Sequence, residues 1–241
     1  MKEIHQRTVS LIGEAAHRRI EASRVLIFGI GGVGGHLCEA LARAGVGSLT
    51  LVDSDTVSLS NINRQLFALH STVGTKKVEA AKARIRDINP DIEVACIDEF
   101  FLPENSDKFD FTKYDYVADC IDTVSGKIEI AVKADREGVP VISAMGAANK
   151  LRADAFEVTD IYKTSVCPLA RVMRTELKKR GVRKLKVVYS REEAKKPLLD
   201  ECDRLGRRVP ASISYVPSAE GLIMAQEILL DIIADCPRDE Q

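Results

Sequence analysis

The sequence lacks the patterns that are typical of proteins with a structural metal site, of secreted proteins and of membrane-spanning proteins. Its six cysteines form no Cys-x-x-Cys pair, which argues against both a structural zinc site and a disulfide framework. The amino terminus is charged and amphipathic without an apolar signal core, and no stretch approaches the roughly 18 apolar residues that span a bilayer. These absences predict a soluble protein of a reducing cytoplasm with no membrane partner.

The chain also lacks a strong excess of charge of either sign. Its formal net charge of −1 over 241 residues argues against a globally basic nucleic-acid binder but permits a local basic patch. A hydrophobic content of 45% is enough for one core with an appended lobe. Because no repeat or low-complexity linker divides the chain, we expect residues 1–150 to form the main unit and residues 151–241 to extend the same domain.

Short apolar runs and amphipathic segments alternate through the first 145 residues. Arg24 to Gly29 reads as a buried strand, and a helix follows from Val33 until Gly45, a plausible carboxyl-terminal cap. The other predicted strands are 48–53, 92–97, 114–120 and 139–144, and the other predicted helices are 74–89 and 125–137. Such alternation predicts a Rossmann-like α/β fold, with a mostly parallel sheet flanked by helices.

The last third of the chain has a different character. It reads as an extended segment over 151–162, a helix from Pro168 that ends before Gly181, and a final apolar helix over 217–233 that packs on the core. Between Lys178 and Arg208 basic residues outnumber acidic ones, which favours contacts with RNA phosphates. An ordinary solvated surface is the alternative. Aromatic residues are sparse there, so recognition of the RNA backbone is expected rather than base stacking.

The strongest local motif is a glycine cluster between the first strand and its helix. A tight turn, close approach of backbone to phosphate, and close helix packing each require glycine, and the helix amino terminus favours an anion. Asp53, at the end of the second strand, lies where a ribose hydroxyl is bound. A purely structural turn is the alternative, and no P-loop is present. The glycines of this motif are Gly29, Gly31, Gly32 and Gly34.

The residues after the motif favour ATP over NAD. Arg64 and Lys77 suit an enzyme that breaks the α–β phosphate bond, because negative charge develops on the departing pyrophosphate. Asp119-Cys120-Ile121-Asp122 ends a later strand and supplies carboxylates for Mg²⁺. The remaining polar residues of the candidate site are Asp55, Asn61, Asn63 and Gln65.

This ordered set resembles the ThiF-type adenylating domain of ubiquitin-activating enzymes and their bacterial relatives. The resemblance implies ATP and Mg²⁺ as cofactors and leaves a place for a monovalent cation. By motif match, Arg64 and Lys77 would hold the phosphates, Asp53 the ribose and Asp122 the magnesium ion. Asn61 and Gln65 would shape the site.

Two further segments resemble the tRNA threonylcarbamoyladenosine dehydratases. They are Arg7 to Ala16, and Val158 to Thr164 followed by Pro168-Leu169-Ala170. Sulfur-carrier activators commonly hold zinc through two Cys-x-x-Cys pairs, which this chain lacks. The resemblance implies ATP-dependent cyclisation of threonylcarbamoyladenosine next to the tRNA anticodon, through adenylation of the threonyl carboxylate. An activator of a sulfur-carrier or ubiquitin-like protein, an NAD-dependent oxidoreductase and a non-catalytic nucleotide-binding scaffold are the alternatives.

The same resemblance implies a homodimer in which an N-terminal arginine reaches the ATP of the neighbouring subunit. Arg7 is the candidate, with an exposed place on an amphipathic helix as the alternative. A sulfur-transfer protein is a further candidate partner. Cys202, in a charged loop, is expected to be the most exposed thiol, but its surroundings match poorly those of the carboxyl-terminal cysteine discussed as a sulfur acceptor in some relatives. Cys38, Cys96 and Cys120 are expected in the core. The four histidines show no metal-binding spacing.

Overall fold

The computed structural model describes residues 3–199, 202, 206 and 209–236. One seven-stranded sheet organises the described residues, and helices cover both of its faces. The strands are β1 Arg24–Phe28, β2 Ser48–Val52, β3 Glu93–Ile97, β4 Tyr116–Asp119, β5 Val141–Ala144, β6 Phe156–Asp160 and β7 Lys186–Ser190. The α-helices are α1 Gln6–Ile12, α2 Glu14–Glu21, α3 Gly34–Ala44, α4 Lys77–Ile88, α5 Val124–Glu137, α6 Pro168–Lys179 and α7 Tyr215–Ile232.

The order of the strands creates a ligand-binding edge. The sheet runs β3-β2-β1-β4-β5-β7-β6, and each neighbouring pair is parallel except the antiparallel pair β6–β7. The chain moves outward from β1 in one direction through β3 and then resumes at β4 on the other side of β1. Open α/β sheets bind ligands at the carboxyl ends of the strands beside such a reversal. The predicted Rossmann-like fold class is confirmed.

The central strands are buried on both faces. Along β1, Val25 and Ile27 pack with α3, α4 and α7, whereas Leu26 and Phe28 pack with α5 and a group of phenylalanines. This division follows the two-residue period of a strand. A third cluster joins α5, α6 and β7. The buried layers fix the carboxyl ends of β1, β2, β4 and β5 in one row.

Several boundaries differ from those that the sequence predicts. The helix predicted over 74–89 begins only at Lys77, because Lys76 bridges to Thr56 in extended conformation. The extended segment predicted over 151–162 is a strand only at Phe156–Asp160, between two short 3-10 turns. Strand β7 was not predicted, since it lies inside the basic stretch. Among the described residues, no helix is both long and apolar enough to cross a membrane.

Candidate nucleotide-binding site

A cavity of about 640 Å³ opens at the carboxyl edge of the sheet. It lies beside the reversal of strand order between β1 and β4, where the fold predicts a ligand. Most of the residues that the sequence singles out line it, whereas Gly34, Asn63 and Arg7 do not. The predicted residues that line the cavity are Gly29, Gly31, Gly32, Asp53, Asp55, Asn61, Arg64, Gln65, Lys77 and Asp122.

The glycine turn brings the amino end of α3 to the cavity. Gly29 has a φ of +88°, and a Cβ there would lie 2.8 Å from the Cys120 carbonyl group. A Cβ on Gly34 would lie 1.8 Å from the Gly29 carbonyl oxygen, so these two glycines are required by packing. A Cβ on Gly31 would instead meet nothing closer than Gln65 Nε2 at 3.9 Å. The turn therefore leaves room for an anion at Gly31, close to the amino terminus of a helix.

Asp53, Asp55 and Lys77 form a charged group on one wall of the cavity. The Asp53 carboxylate accepts hydrogen bonds from the backbone N–H of Ile30 at 2.7 Å and of Asp55 at 2.9 Å. Lys77 Nζ lies 2.6 Å from the Asp55 carboxylate and 3.9 Å from that of Asp53. Burial raises the pKa of Asp53, and the neighbouring Lys77 acts in the opposite direction. The group holds a nearly buried cation at the cavity surface.

Arg64 is the second cation of the cavity. Its guanidinium donates to the Ser60 carbonyl oxygen at 3.1 Å and to Asn63 Oδ1 at 2.9 Å. Asn63 in turn donates to the Ser212 carbonyl oxygen at 3.1 Å. Although Asn63 lies outside the cavity lining, it therefore links Arg64 to residues 209–213. Asn61 accepts from the backbone N–H of Ser58 at 3.1 Å and closes the turn on which Arg64 stands.

Only one of the two carboxylates expected near a metal faces the cavity. Asp119 is buried, lies 3.0 Å from Lys127 Nζ and accepts a 2.5 Å hydrogen bond from the Ser143 hydroxyl. An internal ion pair thus occupies Asp119, and the expectation that both carboxylates serve a metal is wrong for this residue. Asp122 is exposed at the cavity, beyond the end of β4. Its oxygens are available to a cation there.

An apolar wall completes the site, and sequence reasoning missed it. Val52, Phe100, Phe101 and Ile121 line the cavity beside Asp53 and Asp122. Phe101 is held by ring contacts with Phe28 and Phe109, at centroid distances of 4.6 and 5.2 Å. Residues 100 and 101 lie three and four positions beyond the carboxyl end of β3, so the rule that located the polar residues also points to this pair.

A segment from the distant end of the chain covers one side of the cavity. Val209, Pro210 and Ser212 contribute to the lining. The segment is fixed by Asn149, whose N–H donates to the Ala211 carbonyl oxygen at 2.8 Å and whose Oδ1 accepts from the Ala211 N–H at 2.9 Å. Asn149 adopts a left-handed backbone with a φ of +60°, a conformation that asparagine tolerates better than most residues.

A second buried carboxyl, Glu220 on α7, lies in the same region of the core. The side chain is completely buried, and its two oxygens make no well-aligned hydrogen bond among the described residues, although the Met145 backbone lies nearby. Burial raises the pKa of Glu220 to about 8, with the nearby Lys127 acting in the opposite direction. Glu220 therefore keeps its proton up to roughly neutral pH. The sequence gives no signal for it, because one acidic residue in an apolar helix has no motif.

Burial suppresses the ionisation of three of the thiols. Burial raises the pKa values of Cys38 and Cys120, and that of Cys96 to about 11, so none of the three is a thiolate near neutral pH. Cys38 is part of the core as predicted, whereas Cys96 and Cys120 are half-buried and pack against it. Cys120 also lines the cavity. Cys202 is exposed, as expected.

The predicted basic stretch divides between the two edges of the sheet. Arg183 and Lys184 are exposed just before β7, at the amino edge, because β7 runs parallel to β5. Lys195 and Lys196 are exposed beyond its carboxyl end, where the Lys195 N–H donates to the Asn149 carbonyl oxygen at 2.8 Å. Lys186 is paired with Asp231 at 2.7 Å and Glu227 at 3.2 Å. The predicted basic residues Arg204, Arg207 and Arg208 lie outside the described residues.

Comparison with known proteins agrees with this geometry. The ThiF family matches residues 5–239. A tRNA threonylcarbamoyladenosine dehydratase of Bacillus subtilis (strain 168) is 41% identical over 244 residues, which cover 96% of either chain. The crystal structure of the E. coli tRNA N6-threonylcarbamoyladenosine dehydratase in complex with ATP aligns with a TM-score of 0.89 at 31% identity, covering 99% of this chain and 97% of that one.

A more distant relative covers less of the chain. The molybdopterin-synthase adenylyltransferase of Haemophilus influenzae is 39% identical over 145 residues, which are 58% of this chain and 57% of that protein. The dehydratases therefore match the carboxyl-terminal third as well as the nucleotide-binding part. The resemblance that the sequence motifs indicate is confirmed, and the chain belongs to the ThiF family.

Proposed function

We propose that this protein is an ATP-dependent enzyme that cyclises threonylcarbamoyladenosine in tRNA. The observation that carries the proposal is the cavity, which gathers two cations, an exposed carboxylate and the amino end of a helix at one sheet edge. Full-length similarity to a tRNA threonylcarbamoyladenosine dehydratase supports the choice of substrate. The known E. coli complex with ATP supports the choice of nucleotide.

Residues along the cavity wall match the phosphates, the ribose and the adenine of ATP in turn. Gly31, Gly32 and the amino end of α3 would receive the phosphates, with Arg64 and Lys77 beside them. Asp53 would accept a ribose hydroxyl, and the apolar side chains near Phe101 would cover the adenine ring. A bound phosphate would compete with Asp55 for Lys77, so the lysine would exchange one anion for another without leaving its buried position.

Asp122 fits a magnesium ion that accompanies the nucleotide. Mg²⁺ prefers hard oxygen ligands and is commonly held by one or two carboxylates together with substrate phosphates. Bound there, the ion would neutralise charge on the departing pyrophosphate. A monovalent cation stays a prediction from family resemblance.

The chemistry needs activation and positioning rather than an enzyme nucleophile. An oxygen of the threonyl carboxylate attacks the α-phosphorus of ATP, and pyrophosphate leaves. The carbamoyl group of the same nucleoside then attacks the activated carbonyl carbon, so that a ring closes and AMP departs with the former carboxylate oxygen. The net change in the nucleoside is the loss of one water. Because both reacting groups belong to one nucleoside, their proximity supplies much of the rate.

Mass spectrometry of nucleosides tests the proposal. Incubation with ATP, Mg²⁺ and tRNA carrying threonylcarbamoyladenosine should lower the mass of that nucleoside by one water, under mild conditions that keep the ring closed. ATP–pyrophosphate exchange that depends on the modified tRNA would locate the adenylation step. An unchanged nucleoside, with adenylation of a small carrier protein instead, would favour the sulfur-carrier or ubiquitin-like activator. Preferential NAD binding in calorimetry would favour the oxidoreductase.

The proposal extends to partners and location. A homodimer would let Arg7, which is exposed and outside the cavity lining, reach the site of the second subunit. A sulfur-transfer protein as a partner stays a prediction. A tRNA substrate would place the enzyme in the cytoplasm, where tRNA is used.

A further inference from the structure

Two histidines meet at the amino edge of the sheet, away from the nucleotide cavity. His5 and His17 are only 2% and 5% exposed, and their ring centroids lie 4.8 Å apart. Their sequence spacing does not match a metal motif. They meet because Gly13, whose φ is +82°, interrupts the helical conformation between α1 and α2, and α1 packs against α2.

The edges of the two rings face the same space beside Gly45. A Cβ on Gly45 would lie 2.9 Å from His17 Nε2, and 3.1 and 3.3 Å from His5 Cε1 and Nδ1, so the glycine leaves this space open. His17 Nε2 is buried and has no hydrogen-bond partner among the described residues. An unpaired buried nitrogen costs free energy unless a ligand satisfies it.

The other ring nitrogen of His17 lies near the carboxylate of Glu21. His17 Nδ1 lies 3.5 Å from a carboxylate oxygen of Glu21, one turn further along α2. A carboxylate on one ring nitrogen fixes the ring and strengthens the other nitrogen as a metal ligand. Ligand atoms of His5, His17 and Glu21 all lie within 4.8 Å of one another. Since Glu21 is exposed, it can turn either to His17 or to a bound ion.

We propose that His5, His17 and Glu21 form a binding site for Zn²⁺ or a similar transition metal, separate from the nucleotide site. Imidazole nitrogens suit transition metals, whereas Mg²⁺ prefers oxygen. A tetrahedral ion with bonds of about 2.0–2.1 Å holds its ligands closer than 4.8 Å, so the rings and Glu21 close around it on binding.

The surroundings give the ion a route and a structural role. The cluster borders a cavity of about 340 Å³ whose lining includes Glu21, Asp91 and Glu93, and these carboxylates attract cations. Gly45 stands between α3 and β2, whereas His5 precedes α1 and His17 belongs to α2. A bound ion therefore ties the N-terminal helices to the amino edge of the sheet and stabilises their packing.

Titration of the untagged full-length protein with Zn²⁺ tests the proposal. Calorimetry should show one ion per chain for the wild type, and the visible absorption of bound Co²⁺ should indicate nitrogen ligands. We expect His17→Gln to lower the Zn²⁺ affinity by at least about 10-fold, because it removes the buried ligand. His70→Gln is the matched control, since this exposed histidine lies outside the cluster, and it should leave the affinity unchanged.

Thermal unfolding gives a second measurement that does not need catalysis. Zn²⁺ should raise the Tm of the wild type and of His70→Gln in a concentration-dependent way, but not that of His17→Gln. If His17→Gln does not fold, Glu21→Gln on the exposed side chain replaces it and should lower the affinity by a smaller factor. Absence of Zn²⁺ binding by the wild type, or equal affinity in the wild type and the cluster variant that folds, would overturn the proposal.

Discussion

Lys77 shows how a single residue prepares the site for an anion. Its side chain is only 8% exposed, and burial of an ammonium group is unfavourable unless a carboxylate accompanies it. Asp55, at 2.6 Å, is 64% exposed and so stabilises the cation without enclosing it. The positive charge is thus fixed before substrate arrives, and little reorganisation is needed when charge develops on a leaving pyrophosphate.

Replacement of the two cavity cations should lower turnover more than it lowers nucleotide binding. We expect Lys77→Ala and Arg64→Ala each to lower kcat about 100-fold or more, because each would stabilise charge that grows in the transition state. Asp53→Ala should mainly weaken ATP affinity. Lys113→Ala is the control, since this exposed lysine pairs with Asp110 and neither residue lines the cavity. Kinetics at saturating ATP would reveal the split, and equal small effects of both cations would contradict it.

Glu220 makes a prediction about pH and stability. Its pKa rises from an ordinary 4.5 to about 8 in the folded protein, so the unfolded chain loses this proton first as pH increases. Between these values the group makes the free energy of unfolding fall by about 1.4 kcal/mol per pH unit. Glu220→Gln should therefore flatten this decline and stabilise the protein most near pH 8. Urea unfolding between about pH 5 and pH 8 measures the slope, and an unchanged slope would refute the assignment.

At the scale of elements, the glycine turn contains one glycine that packing requires, Gly34, and one that leaves room for a ligand, Gly31. Gly34→Ala should lower the free energy of unfolding by about 1–3 kcal/mol or more, because its Cβ would meet the Gly29 carbonyl oxygen. Gly31→Ala should leave stability nearly unchanged and weaken ATP binding, since its Cβ points into open space on the cavity wall. Thermal unfolding and calorimetry distinguish the two effects. Loss of stability in both variants would mean that the turn has no room for a ligand.

Elements with strong local signals could be predicted from the sequence, and elements fixed by distant contacts could not. Strand β1 and helix α3 have clear apolar periods and a glycine at the end of the helix. Strand β7 was missed because Lys186 and the surrounding charges hide a buried core at Val187 and Val188, and its partner β5 is far away in sequence.

The candidate site follows the same division. Asp53 and Asp122 follow strands, so the rule for parallel sheets locates them without a structure. The cover formed by residues 209–213 depends on hydrogen bonds to Asn149 and Asn63, which lie far away in the sequence. No local pattern encodes such contacts. The same is true of the meeting of His5 and His17.

The division of basic residues between the two edges of the sheet predicts which of them contact tRNA. The nucleotide cavity opens at the carboxyl edge, so the modified nucleoside must approach from there. Charge reversal of Lys195 and Lys196 should raise the KM for tRNA several-fold and reduce its salt dependence, while ATP affinity stays nearly constant. Reversal of Arg183 and Lys184, equally exposed but at the opposite edge, is the matched control. A larger effect of the control pair would place the tRNA elsewhere.

At the scale of the whole molecule, the sheet separates two regions of different character. The carboxyl edge holds the nucleotide cavity, whereas α1 and α2 pack near the amino edge. Leu11, one turn after Arg7 on α1, is 85% exposed. Ile4, which precedes α1, is 56% exposed. This exposed apolar surface lies beside Arg7 and away from the nucleotide cavity of its own chain, so a second copy that covered it would also meet Arg7.

Mixed dimers test whether Arg7 completes the site of the partner subunit. Arg7→Ala and Lys77→Ala homodimers should each be nearly inactive, because both residues would act on the same nucleotide. In a heterodimer of the two variants, one site combines an intact Arg7 with an intact Lys77. A freely exchanged equal mixture should therefore recover about a quarter of wild-type activity, since half of the dimers carry one intact site of two. Arg19→Ala, an exposed arginine on α2, is the control and should behave as wild type. No recovery on mixing, or full activity of a monomer in light scattering, would exclude a shared site.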